Sequence, residues 1–385
     1  MYTSSIFHFR KLFIRIQIFN HISQKMQHCF GDFRIGRSIG NGAFGGVYQG
    51  THNVNKTEVA IKVSTGRLSD THMKAELDVY NSLESEPGFP VIHGYETSGE
   101  TKYLAMELLG KNLYDLFKNH NSKFSMKTAL IFIDQALQRL QYLHSKGFVH
   151  CDIKPHNFCI GNGPNSNQIY LIDFGLAKRY TVFPKDCPES KRKKIDKFEG
   201  TMRYASHAAH HGYEMLPKDD LESLFYTLIY LIKGKLPWSG ISNKNKDLKR
   251  ESIYVVKCSV QPEELCSGLP EEFIEFYNDI RNLNICDEPN YSKYRAIFRN
   301  LFIKSQFIYD SKFDWVLSKS TMTFNFGPPK IPQHNVSIHR ARSDNPQPTV
   351  LRPKDRQIKI FSPRLKPNTS MTFIGGKFMK NFPKK

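Results

Sequence analysis

No stretch of this chain is apolar for long enough to cross a bilayer, because Arg10, Lys11, Arg15, Asn20 and His21 break even its most hydrophobic window. A transmembrane segment is therefore not expected. Cysteine is sparse and odd in number, seven in 385 residues with no C-x-x-C pair, which argues against a disulfide framework or a zinc site. A reducing, intracellular compartment follows as the default. Internal repeats are absent. Acidic residues are missing where the basic ones gather. Residues 1–28 carry four basic and no acidic side chains and residues 316–385 carry fourteen basic and two acidic, so only about +3 of the +19 net charge falls between. The basic excess belongs to the ends, and nucleic acid is not an expected partner of the folded part.

What is present is enough apolar material, 39% hydrophobic and 13% aromatic, to bury a large core in one large or two medium domains. Residues 6–22 mix Phe, Ile and Leu with Arg and Lys and lack acids, the composition of a mitochondrial presequence or a membrane-surface helix. Two other readings stand beside it: an extension without function, or a functional start at Met26.

The most informative stretch is His150-Cys-Asp-Ile-Lys-Pro-His-Asn157. It offers a carboxylate (Asp152), an ammonium two positions on (Lys154) and an amide three beyond that (Asn157), a set able to move a proton, steady a phosphate and ligate a cation. Twenty-one residues after Asp152, a second carboxylate, Asp173, follows the apolar run Ile169-Tyr-Leu-Ile172 and precedes Phe174-Gly175. In this order the two read as a catalytic loop and a metal-binding turn for Mg²⁺.

Upstream, Ile39, Gly40, Asn41, Gly42, Ala43, Phe44, Gly45, Gly46 and Val47 form a glycine-rich run that leads into strand and not into helix. That context excludes a dinucleotide-binding turn. It predicts a hairpin tip whose backbone lies over phosphates, with Val47 and Ala60 against a flat ring such as that of ATP. Glu58-Val-Ala-Ile-Lys62 puts Lys62 on the next strand, aimed into the same cleft. A helix over 70–84 carries Glu76, suited to pair with Lys62; Lys74 and Asp78 lie close enough that sequence selects Glu76 without proving it. Tyr103-Leu-Ala-Met-Glu107 is an apolar strand, and backbone groups of Glu107 and Leu109 are candidates to bond an adenine edge. Ser125 caps a helix closed by Gly147 that delivers the chain to His150. Lysine-rich residues 178–197, with Lys185, Lys191-Arg192-Lys193-Lys194 and Lys197 as the loop cations, precede Gly200-Thr-Met-Arg-Tyr-Ala-Ser206. They read either as a solvated face or as an attractor of acidic groups. Asp219 and Asp220 are expected to cap a helix over 221–232, apolar on nearly every side and so buried, with Asp220 a candidate anchor for the catalytic loop.

These motifs, together with Met106-Glu-Leu-Leu-Gly110, Lys123-Phe-Ser125, Leu143-His-Ser-Lys146, Asp219-Asp-Leu-Glu-Ser223 and Leu236-Pro-Trp238, make residues 33–315 resemble the eukaryotic protein kinases. Within them the chain is similar to the casein kinase I family. Arg203-Tyr-Ala-Ser206, standing where most kinases have Ala-Pro-Glu, is the most discriminating run, and Phe225 leans toward the tau-tubulin kinase branch. The resemblance implies an α+β bilobal fold: an antiparallel N-lobe of five strands and one helix over 33–106, a hinge over 107–112 and a mainly helical C-lobe over 113–317. A basic extension (1–32) and a disordered basic tail (318–385) flank it. It also implies a monomer, cytoplasmic or nuclear, that transfers the ATP γ-phosphoryl group to Ser or Thr of protein substrates, acidic or phosphorylated ones being expected, with Thr201 and Arg203 in the substrate platform.

Three departures stand out: Cys151 for the usual Arg, His156 for an acid, and His207-Ala208 after Ser206. None handles phosphate or metal, and the third is expected to loosen the substrate platform. Lys62, Asp152, Asn157 and Asp173 are all present, which disfavours a pseudokinase scaffold. The platform disfavours a small-molecule kinase.

Overall fold

The computed structural model describes residues 29–42, 45–195, 197–310 and 312–316. The expectations for residues 1–28, for Ala43 and Phe44, and for the tail from 318 lie outside the described residues. Six strands, β1 (Cys29–Phe30), β2 (Phe33–Gly42), β3 (Gly45–His52), β4 (Glu58–Thr65), β5 (Ile92–Ser98) and β6 (Thr101–Glu107), form one antiparallel sheet in the order β1-β2-β3-β4-β6-β5. The five implied strands are there, with β1 added ahead of residue 33. Phe30 is buried and stacks on Tyr103 at 5.0 Å, so this edge belongs to the small core.

Alternation along β4 decides where Lys62 points. Val59, Ile61 and Val63 enter the small core beside Phe33, Ile35 and Ala105, which leaves Ala60 and Lys62 on the opposite, cleft-facing side. Helix α1 (Arg67–Ser82) follows β4 and begins earlier than the 70–84 expected from sequence.

The larger lobe is helical: α2 (Leu113–Asn119), α3 (Met126–Ser145), the one-turn α4 (His207–His210), α5 (Pro217–Lys233), α6 (Lys246–Ser259), α7 (Pro262–Leu265), α8 (Glu271–Asn282) and α9 (Tyr291–Lys304). Short strands β7 (Phe148–Val149), β8 (Phe158–Ile160), β9 (Ile169–Leu171) and β10 (Lys178–Arg179) pair as β7 with β10 and β8 with β9, and frame the loops of the cleft. Helix α5 is buried continuously from Asp219 to Leu231, as its all-round apolar pattern requires. Phe225 stacks on Tyr277 of α8 at 4.5 Å. One detail differs from the sequence expectation. Asp219 and Asp220 lie inside the first turn, and Asp219 caps from there, reaching back to accept the Leu216 amide at 2.8 Å.

Ser125 caps α3 by accepting the Thr128 amide at 3.2 Å, and both its amide and its hydroxyl donate to Asp314, at 2.7 and 2.6 Å. Phe313 and Trp315 are buried and stacked at 4.4 Å beneath this junction. Phe313 and Trp315 are thus part of the core. A chain trimmed of residues 1–28 and 318–385 is expected to bind ATP as the full chain does. A chain ending at residue 309 is expected to lose several kcal/mol of stability, since each large buried aromatic removed costs about 3–5 kcal/mol. Thermal unfolding with ATP titration checks both, and a trimmed chain that cannot bind ATP contradicts the boundaries.

Candidate active site

The catalytic-loop backbone is hung from one buried carboxylate. Asp220, fully buried at the start of α5, accepts the amides of His150 (2.6 Å) and Cys151 (3.0 Å) and pairs with Nε2 of His144 at 2.9 Å. Three donors on one buried carboxylate fix the loop without leaving the charge unsatisfied. Cys151 takes a φ of +68°, uncommon for a residue with a Cβ, and this turns Asp152 toward the cleft. Burial pushes the Cys151 thiol well above its ordinary range, with Asp220 adding to the effect, so it stays protonated. His150 Nε2 donates to the Ile172 carbonyl at 3.0 Å, and its bare Nδ1 accepts the Asp152 amide at 3.3 Å. The imidazole thereby ties the loop to the residue before Asp173.

Asp152 is 9% exposed. One of its oxygens accepts the Thr201 hydroxyl at 2.7 Å and the other takes the Lys154 ammonium, which also lies 3.4 Å from Thr201 Oγ1. Gly200 makes this triangle possible. Its φ is +89°, and a Cβ there would sit 2.7 Å from the Cys151 carbonyl. The Asn157 side-chain amide donates to the Asp152 carbonyl at 2.9 Å, and the Ile172 backbone amide donates to the Asn157 carbonyl at 2.9 Å. Asn157 and Asp173 are therefore carried on adjoining, hydrogen-bonded segments.

Asp173 has φ +68° and its amide donates to the Tyr80 hydroxyl at 3.3 Å. Phe174 is fully buried, edge-on to Tyr80 at 4.9 Å and tilted against His150 at 5.2 Å. Lys62 bridges two carboxylates, Glu76 at 2.6 Å and Asp173 at 2.8 Å. Burial works against its charge, but Glu76 and Asp173 outweigh burial and hold the ammonium above its ordinary pKa. For Asp173, burial would raise the carboxyl, yet Lys62 brings it down to about 2. Burial pushes Glu76 upward while Lys62 pulls against it. Glu76, and not Asp78, is the partner. Tyr80, one turn on from Glu76 on the same face of α1, was not anticipated; the i, i+4 spacing was the available signal.

The residues fit a divalent cation. Asn157 spends its amide nitrogen on Asp152 and Asp173 spends one oxygen on Lys62, leaving hard oxygen donors of the kind Mg²⁺ takes.

At the roof, the register Gly40 to Val47, Asn41 to Gly46 and Gly42 to Gly45 makes the glycines a hairpin tip, and Val47 pairs with Lys62 across β3 and β4. Gly45 is obligatory, because a Cβ would lie 1.9 Å from the Val63 carbonyl. Ile39 is exposed at the edge of the same hairpin. At the connector, the Glu107 amide is bonded to the Val91 carbonyl at 2.8 Å. Leu109 lies between the Leu108 carbonyl, bonded by Asn162, and the Gly110 amide, bonded to Ile160. Ala60 pairs with Met106 on the cleft side.

Two expectations for the platform need correction. Arg192 does not belong to the exposed cations: it is buried, donates to the Glu214 carbonyl at 3.0 and 2.7 Å, and is paired with Asp219. His207 does not loosen the platform either. Its ring is bonded to buried Glu222, which is also paired with Arg281 at 3.2 Å. Arg203 lies with its guanidinium 5.3 Å from the Tyr230 ring. Among the described residues no helix is long and apolar enough to cross a membrane.

A model of the protein kinase domain matches residues 33–290. The match runs from the first residue of β2 to the residue just before α9, and so takes in the glycine hairpin, the Lys62–Glu76 pair, the Asp152 loop and the platform. On that match, and on two lobes that meet at an ATP-type cleft, the chain belongs to the protein kinases.

Proposed function

We propose that the protein is a serine/threonine kinase of the casein kinase I type, close to its tau-tubulin branch, monomeric, acting on acidic or already phosphorylated proteins in the cytoplasm or nucleus. The observation that carries the reading is the triangle of Asp152, Lys154 and Thr201, in which the threonine hydroxyl sits on the carboxylate at 2.7 Å. A substrate hydroxyl presented to Asp152 is oriented by the carboxylate and gives it a proton as the phosphoryl group leaves ATP. Lys154 offsets the charge that builds on the moving group. Lys62, held between Glu76 and Asp173, clamps the phosphates, and the glycine hairpin covers them from above. Asn157 and Asp173 would hold Mg²⁺, which neutralises charge on the phosphate oxygens when bound. Positioning and electrostatics supply the rate.

Incorporation of radiolabelled phosphate into an acidic test protein, followed by phosphoamino-acid analysis, tests this reading. Phosphoserine or phosphothreonine is expected. Phosphotyrosine alone, or no incorporation, overturns it.

Acidic preference rests on Lys185, Lys191, Lys193 and Lys194, all exposed on the segment before the platform, and on Arg203 within it. Replacing Lys191, Lys193 and Lys194 by alanine is expected to reduce discrimination between acidic and neutral peptides at least about threefold, since each exposed cation contributes about 0.2–1 kcal/mol. High salt should mimic the change. Arg192 is left out of this set because its loss would uncover buried Asp219. Unchanged discrimination would make these lysines a solvated face.

The loop is also expected to need no activating phosphate. Cys151 gives no cation for one to pair with. Lys178 and Lys197 are instead both drawn onto Glu199; burial works against that carboxylate's charge, and the two lysines outweigh it to hold its pKa below the ordinary value. Enzyme made in bacteria and treated with phosphatase should turn over within about tenfold of enzyme pre-incubated with ATP, tenfold being near 1.4 kcal/mol of barrier. A larger rise, with phosphate on residues 180–200, would contradict this.

A further inference from the structure

Helix α6 buries only two side chains, Ile253 and Lys257, one turn apart on the same face. An amphipathic helix usually gives both such positions to apolar residues. Lys257 is 3% exposed, and its ammonium is spent on main-chain carbonyls: Ala205 at 2.5 Å and Met202 at 3.1 Å. The rings of Tyr226 and Trp238 flank it at 4.8 and 5.0 Å. Trp238, itself buried, donates its indole N–H to the carbonyl between those two, that of Arg203, at 2.7 Å. Three carbonyls of the platform are thus bonded from beneath by two side chains far along the sequence.

We propose that Lys257 is a positioning residue for the protein substrate, holding the backbone of residues 202–205 in the shape that receives the acceptor peptide. The two ends of the platform are held differently. Residues 200 and 201 are fixed to the catalytic loop, by the close approach of Gly200 to Cys151 and by the Thr201 hydroxyl on Asp152. Residues 202–205 depend on Lys257 and Trp238. Loss of Lys257 therefore acts on peptide binding and leaves the catalytic carboxylate and the ATP clamp in place. Burial brings the Lys257 amine down to about 7, with Glu222 and Cys258 opposing it. In either protonation state it has a donor for each carbonyl. Burying an amine among aromatic rings is costly, and the bonds to the platform are what it gains there.

The inference rests on the proposed reading of the enzyme as a peptide-directed kinase, and steady-state kinetics on the full chain separate the two. Lys257→Met keeps length and apolar bulk but has no donor. It should raise the peptide KM at least about fivefold, with kcat at saturating peptide lowered less than threefold and the KM for ATP within about twofold. Lys257→Arg, which restores donors, should recover part of the peptide KM. A Lys257→Met enzyme with peptide KM within twofold of wild type overturns the inference, as does a fall confined to kcat or a loss that arginine does not relieve at all. Should Lys257→Met yield no folded protein, Trp238→Phe decides in its place by removing the single N–H to Arg203. A peptide KM raised about threefold supports the inference, and an unchanged one overturns it. Wild-type enzyme that phosphorylates no peptide would count against the proposed function and not against Lys257.

Discussion

Replacing Asp152 by asparagine is expected to lower phosphoryl transfer about 10³-fold, the range in which a positioned general base acts. The substitution is nearly isosteric, so the packing around a side chain 9% exposed is kept. Asparagine can still accept the Thr201 hydroxyl through its oxygen, but its NH₂ then faces the Lys154 ammonium, donor against donor. Both the proton acceptor and the partner that steadies Lys154 are lost in one change. Stability should alter by on the order of 1 kcal/mol or less, because Lys154 is near solvent and can rehydrate. Radiolabel incorporation and a thermal melt measured together check the result. Activity within tenfold of wild type in a folded Asp152→Asn enzyme would sink the mechanism.

Much of this site was legible in the sequence because its chemistry is written in short local strings. Asp152, Lys154 and Asn157 share eight residues, and strand alternation alone sends Lys62 to the cleft side. What was not legible depends on residues far apart in the chain. Arg192 looked like one more loop cation, and only the fold brings buried Asp219 against it. His207 looked like a flaw in the platform until Glu222 and Arg281 came beside it. Lys257 gave no signal, since a lysine one turn from an isoleucine looks the same whether the helix face is wet or buried. For Glu107, sequence names a residue, but which of its backbone groups is already bonded is a matter of the fold. In each case the missing information was a partner whose identity is set by tertiary packing and not by local pattern.

Lys62→Met should cost about 10²–10³-fold in kcat/KM, comparable to removing one preorganised donor from a charge-stabilising site, with the KM for ATP raised. Two functions of the ammonium disappear together. The phosphates lose their clamp, and Asp173 loses the cation that holds it at about 2. Glu76, 2% exposed, is left without the ammonium that balances it, and burial then favours its protonated form. Glu76→Gln is the informative contrast. Lys62 keeps its 2.8 Å bond to Asp173 and an amide oxygen to donate to, so a loss nearer tenfold is expected. The acid limb of the stability profile separates the charge effect from a folding defect. Because the Asp173 pKa is depressed in the folded protein, its contribution is present above the ordinary value of 3.8 and is lost as pH falls toward about 2. Because the Lys62 pKa is raised, its contribution is present below 10.5 and is lost only at still higher pH. Without Lys62, Asp173 returns toward its ordinary value. The thermal midpoint of Lys62→Met should therefore fall less steeply than that of wild type between about pH 4 and 2. Parallel acid limbs in the two proteins, or transfer retained within tenfold, would show that the Lys62 bridge is not what keeps Asp173 charged and the phosphates in place.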